Sequence, residues 1–170
     1  KIVGAPIRSN MQTEVVGTSR LGQEVHCGRD FTRADHVVVV NRVKPHTSFR
    51  GEVESGLLKM AVVGMGKAVG ARLAHQMFFG HGFEPVVRDM AGILLDRCSV
   101  LAGIALVENR LEQAARIEVC EKNRFFEVDR SLLTEARKLM GRVPFSDVDL
   151  LIIDEMGKNI SGSGIDSNVT

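Results

Sequence analysis

Apolar residues recur along this chain with two different periods, and each period names a kind of element. The unbroken run Val37-Val-Val-Val40 reads as a buried strand over 36–41. Lys44-Pro45 ends it, because proline cannot donate to a central ladder. Thr13 to Val16 and Glu24 to Cys27 suit short edge strands. Residues 55–65 read as a helix that Gly64, Gly66 and Gly70 weaken or break, with a second helix running to about Phe79. Gly80-His81-Gly82 is a turn, and 85–97 carry helical spacing, with Pro85 acceptable in the first turn. Strands follow over 99–108 and 115–121; the second alternates in period two, as a half-buried strand does. Phe125, Val128, Leu132, Leu133, Ala136, Leu139 and Met140 fall on one stripe of a helix over 125–140, which Gly141 and Pro144 end. Asp149-Leu-Leu-Ile-Ile-Asp154 reads as a further buried strand, opening into a polar Gly/Ser loop over 157–168 that suits ligand contact. Mixed strands and helices predict an α/β fold: a mixed sheet flanked by helices, a layered α/β sandwich, in one domain over 1–170.

Composition narrows the class. A chain of 170 residues with 44% apolar and 25% charged residues suits one soluble domain. No apolar run approaches the ~18 residues of a membrane span, and no signal peptide is visible. The cysteines, Cys27, Cys98 and Cys120, are odd in number and far apart, which points to a reducing, cytoplasmic compartment rather than a disulfide framework. Trp and Tyr are absent, against a nucleic-acid surface built on base stacking. Net charge sharpens this. The chain is +1 overall, yet residues 41–75 are +4, with Arg42, Lys44, Arg50, Lys59, Lys67 and Arg72 against Glu52 and Glu54. Positive charge gathered beside a buried strand points to a small anionic ligand, not nucleic acid or membrane.

The same stretch holds the candidate chemistry. Lys59 lies among apolar neighbours, where it either snorkels outward from a helix or forms a partly desolvated, nucleophilic amine. His46 sits in the loop after the strand, either a surface histidine or a general acid/base. His75 stands sixteen residues after Lys59, about 160° around an unbroken helix, so the two share a site only if the helix breaks between them. Gly64 and Gly66 are the place for that break. No compact multi-histidine spacing exists, so a metal held by protein alone is not expected. Gly64-Met-Gly-Lys67-Ala-Val-Gly70 fails the phosphate-loop pattern, having no Ser or Thr after Lys67; its glycines read as helix breakers or close-packing positions.

Pro45-His46, then Ser55-Gly56-Leu-Leu-Lys59, then His75, resemble the lactate racemase family, the nickel-pincer-nucleotide enzymes. The segment from Asp149 through Asp166-Ser167-Asn168 is similar to that family's strand and substrate loop. The resemblance implies racemisation or epimerisation of a lactate-like or polyol 2-hydroxy acid by reversible hydride transfer to a nickel-pincer nucleotide. It implies that His46 is one of two catalytic acid/base histidines. Lys59 would tether the cofactor, with Ser55, Gly56 and Lys67 beside it, and His75 would ligate nickel. Lys44, Arg50, Asp166, Ser167 and Asn168 would meet the substrate, with Arg42 a further candidate for its carboxylate or the cofactor's phosphate. It also implies cofactor-making enzymes as partners, and a longer two-domain parent holding the second histidine, of which this chain is a fragment inactive alone. Two departures stand out: Leu57-Leu58 replace the family's Gly-Arg before the lysine, and Ser167 stands where a glutamine is expected. They favour an alternative, a ligand-binding or structural α/β module without the chemistry. An amine enzyme using Lys59 as a Schiff base is a third reading.

Overall fold

The structure is a computed structural model and describes residues 4–155 and 166–169. Two short strands, β1 (Thr13–Thr18) and β2 (Glu24–Gly28), pair antiparallel. A single turn, α1 (Arg29–Thr32), leads to β3 (Val37–Arg42). The chain then loops to α2 (Leu57–Lys59), which passes directly into a π-helical segment, Met60–Met65. Two long helices follow, α3 (Lys67–His81) and α4 (Phe83–Arg97). Strands β4 (Val100–Glu108) and β5 (Ala114–Glu121) precede α5 (Phe125–Leu139).

The second sheet runs β3-β4-β5, parallel between β3 and β4 and antiparallel between β4 and β5. Helices pack on one face of it, giving the expected mixed α/β layering. Val37 and Val39 of β3 and Ala105 and Val107 of β4 point into the core, with Leu57, Leu94, Phe125, Val128 and Leu132. At Gly103 the backbone comes so close to Leu57 and Phe125 that a Cβ would lie 2.5 Å from the Phe125 ring. The other sheet face is open: Val38, Val40, Ile117 and Val119 are 47–65% exposed. Cys27, Cys98 and Cys120 are free and buried; the Sγ atoms of Cys27 and Cys98 meet at 3.3 Å despite their distance in sequence.

One expected element is missing. Residues 149–154 form no strand, and Leu150 and Ile152 are about three-quarters exposed. A strand needs a partner ladder for its backbone groups, and this run pairs with none of the described strands. The Gly/Ser loop expected over 157–168 lies outside the described residues except for Asp166, Ser167 and Asn168.

The helix break is where glycine spacing put it. Gly66 has room for no side chain, since a Cβ would sit 2.3 Å from the Val62 carbonyl oxygen. The next residue, Lys67, has φ 55°, in the left-handed region that ends a right-handed helix. Helix α3 therefore starts in a new direction. No helix among the described residues is long and apolar enough to cross a membrane.

Candidate functional site

The loop between β3 and α2 is closed at its base by paired backbone bonds between Lys44 and Ser55 (3.1 and 3.3 Å). Glu54 is its internal post. Its side chain is fully buried; Oε2 accepts the His46 N–H, and Oε1 accepts from Gly51 and, at 2.7 Å, from Arg137 of α5. The backbone of His46 is thereby fixed. Its carbonyl accepts from Arg50 and from Asn168 Nδ2 (3.3 Å), and its Nδ1 accepts the Ser48 N–H at 3.0 Å. The imidazole packs on Phe49 (centroids 4.5 Å) and lies 6.5 Å from Phe83.

Phe49, Phe78 and Phe83 form one aromatic cluster, with centroids 4.8–5.5 Å apart. His75 reaches the same cluster from α3, edge-on to Phe78 at 5.2 Å. Its Nδ1 lies 2.7 Å from the Ala71 carbonyl oxygen. A carbonyl only accepts, so that nitrogen carries the proton and Nε2 keeps its lone pair.

Lys59 ends α2, at the junction with the π-helix, a kind of distortion that often marks functional sites. Helix α2 is seated by an acid from elsewhere. Asp129 of α5, 1% exposed, accepts the Leu57 N–H with Oδ1 (2.8 Å) and the Leu58 N–H with Oδ2 (2.9 Å). Gly56 is required beneath it, because a Cβ there would come within 2.3 Å of the carboxylate. Asn41 holds the Gly56 carbonyl at 2.8 Å. The Lys59 amine opens into a cavity of about 220 Å³ lined by Asn41, Arg42, Lys44, Ser55, Met60 and Val63. A larger cleft of about 630 Å³ lies beyond Pro45, between the end of α5 and residues 142–146, and none of the three candidate groups lines it.

Electrostatics tie these residues together. Burial lowers the Lys59 pKa below the usual lysine value, and the charge of Lys44 lowers it further. His46 is also lowered, first by burial and then by Lys59, with His75 and Lys44 adding and Glu54 opposing. His46, Lys59, His75 and Lys44 therefore share one local field.

Other expected site residues fall differently. Lys67 is turned away from the Lys59 cavity, and its Nζ lies 4.8 Å over the Phe31 ring. Arg42 pairs with Glu108 at 2.6 Å. Arg50 is taken by the carbonyls of His46 and Phe49 and by the Ser167 hydroxyl. Ser167 donates to the Thr47 carbonyl, and Asp166 accepts both the backbone N–H and the side-chain amide of Asn168. Ser167 and Asn168 thus reach the His46 loop, with Asp166 orienting Asn168, and their polar atoms hold it. Of Arg42, Lys44, Arg50 and Lys67, Lys44 alone has an amine with no hydrogen-bond, ion-pair or ring partner among the described residues.

Spacing did not reveal Glu54, Asp129 and Arg137. An acid at 129 on the apolar stripe of α5 was the available signal. Nothing local pointed to its target, more than seventy residues earlier in the chain.

Among the described residues no three His, Cys, Asp or Glu side chains are grouped to hold a metal ion. A metal that arrives with most of its own ligands fits better. His75 offers one nitrogen with its other N–H on a backbone carbonyl, the usual arrangement of a ligating histidine. A partly desolvated amine beside Lys44 and Ser55 fits attachment of an anionic group.

No protein-family model matches the chain, and no curated protein does. Among solved structures, it is similar to the lactate racemase apoprotein from Thermoanaerobacterium thermosaccharolyticum, with TM-score 0.57 and 16% identity over 77% of this chain. The match covers 32% of that chain, so this sequence spans about a third of it. At this identity, what the two share is the fold.

Proposed function

We propose that the longer protein containing this chain racemises or epimerises a 2-hydroxy acid, with a nickel-pincer nucleotide held at Lys59 and His75. The observation that carries this reading is that His46 and His75 pack on one aromatic cluster, and that Lys59, in its own cavity beside Lys44, acts with His75 on His46 to lower its pKa. When bound, the group supplies a hydride acceptor beside the substrate carbon. The chain's own residues do the rest. Lys59, its charge disfavoured by burial, offers a nucleophilic amine for the tether. His75 directs Nε2 outward as a ligand. Lys44 supplies charge for a carboxylate or phosphate. Phe49, Phe78 and Phe83 keep water from one side of the site, and His46 stands at the substrate's oxygen.

The test is racemisation by the longer protein made alongside cofactor-making enzymes. Each enantiomer of lactate, and of a polyol acid, should convert to the mixture, and Lys59→Ala should abolish conversion. A well-folded, cofactor-bearing protein that leaves all such acids unchanged would sink the reading. A second reading, a binding module without the chemistry, is favoured by the internal hydrogen bonds of Arg50, Ser167 and Asn168. It predicts anion binding that depends on Lys44, with no turnover.

A further inference from the structure

Two of the three buried thiols face each other across the fold. Cys27 lies near the end of β2 and Cys98 at the join of α4 and β4, yet their Sγ atoms are hydrogen-bonded at 3.3 Å. A disulfide needs them about 1.3 Å closer, at an S–S length of about 2.05 Å. The two sulfurs are not equivalent. When Cys98 ionises, the Cys27 S–H donates to its thiolate, and that bond lowers the Cys98 pKa below the usual thiol value, against burial and the charge of Glu14. The same bond, with burial, pushes Cys27 up and keeps its proton in place. Cys98 is thus the nucleophile and Cys27 the thiol that follows it. Cys120, buried on β5, makes no sulfur contact among the described residues.

The pair also sits where two parts of the fold meet. Strands β1 and β2 pair with each other and not with the larger sheet. Their hairpin packs on α4 at Gly17, where a Cβ would lie 2.7 Å from the Ile93 side chain. Next to Cys27, the His26 carbonyl backs the helix break, 3.4 Å from where a Cβ on Gly66 or Gly70 would be. A two-stranded hairpin is marginally stable by itself, so this element opens locally before the core does and admits a small oxidant to the sulfurs. We propose that Cys27 and Cys98 are a thiol-oxidation site: hydrogen peroxide joins them in a disulfide, a dithiol separates them, and the bond staples the hairpin behind the helix break. The Cys98 thiolate attacks one peroxide oxygen, the O–O bond breaks, and hydroxide leaves, giving a sulfenic acid. The Cys27 sulfur, losing its proton, then attacks the Cys98 sulfur. The S–O bond breaks, and the departing hydroxide takes up that proton as water. Overall, two thiols give up two electrons and two protons, and one peroxide becomes two waters. None of this rests on the racemase reading.

The test is a non-reducing peptide map of the longer protein, first fully reduced, then treated with graded hydrogen peroxide and blocked with N-ethylmaleimide. The expected product is a peptide linking Cys27 to Cys98, lighter than its two parts by two hydrogens. It should form at lower peroxide than oxidation of Cys120 needs, and dithiothreitol should reverse it. Cys27→Ala should strand the sulfenic acid on Cys98, where dimedone traps it, and Cys98→Ala should leave Cys27 without that label. The linked peptide is read in the unaltered protein, so the result stands even where a variant folds poorly. Backbone hydrogen exchange over residues 13–28 should slow in the oxidised protein and return on reduction. Cys98 carried on to sulfinic acid with Cys27 free, a link from either residue to another cysteine, or no oxidation of the pair until the protein unfolds overturns the proposal. A linked protein with unchanged exchange over 13–28 overturns the staple.

Discussion

Asp129 places a carboxylate in the core, with both oxygens on the N–H groups that open α2. Burial pushes its pKa up to about 6, against the two hydrogen bonds that lower it. A folded-state pKa above the unfolded value of about 4 means that the native state binds the extra proton between those pH values. Stability is then fullest below about pH 4 and falls as pH rises through 6, by at most about 3 kcal/mol. Asp129→Asn removes this dependence, so denaturant titrations should show the variant gaining on the unaltered protein between pH 4 and 7. A constant difference across that window would mean that Asp129 does not titrate there. Gly56→Ala forces a methyl against the same carboxylate and should cost about 1–3 kcal/mol in the same assay. Lys59 calls for a chemical probe. Its lowered pKa predicts faster acylation at neutral pH than the surface lysines show, read by peptide mass mapping. Removing the neighbouring positive charge with Lys44→Met should raise the Lys59 pKa and slow that reaction; a faster or unchanged rate would contradict the shared field.

At the scale of elements, α5 fixes the site from behind. Asp129 seats the short helix of Lys59, and Arg137 holds Glu54, which anchors the His46 loop. Arg137→Met leaves a fully buried carboxylate without its cation. Because Arg137 is itself half exposed, the expected loss is about 2 kcal/mol rather than the larger cost of a sealed pair, measured by thermal or denaturant unfolding. Loss of less than a few tenths would show that Glu54 is held by backbone groups alone. Most of these elements were legible in the sequence. The valine run gave β3, period two gave β5, and the apolar stripe gave α5, but only the stripe of α5 is buried as its pattern says. Val38 and Val40 of β3 and Ile117 and Val119 of β5 lie on the open sheet face, because apolar patterning marks a strand without saying whether both faces find cover. The break before Lys67 was legible because Gly66 closes on Val62. The run 149–154 misled for a physical reason: apolar content says that a segment seeks cover but not where a partner ladder lies. Arg50 and Ser167, expected at the substrate, bond to loop carbonyls here, and charge and polarity do not say which carbonyl the chain will bring to them.

At the scale of the molecule, the helices cover one sheet face and leave the other apolar and open at Val38, Val40, Ile117 and Val119, while Leu150 to Ile153 are also exposed and pair with no strand among the described residues. Exposed apolar surface of this kind drives association. The isolated chain should self-associate as concentration rises in sedimentation experiments, and Val119→Lys should reduce it; a monomer indifferent to that substitution would argue against it. The chain also spans about a third of the racemase that it resembles in fold, so the proposed site has to be tested in a longer protein. The most direct measurement is the intact mass, peptide map and nickel content of that protein made alongside cofactor-making enzymes. The account predicts a covalent adduct on Lys59, bound nickel, and loss of both in Lys59→Ala. An unmodified Lys59 with no nickel, or an adduct on another residue, would contradict it.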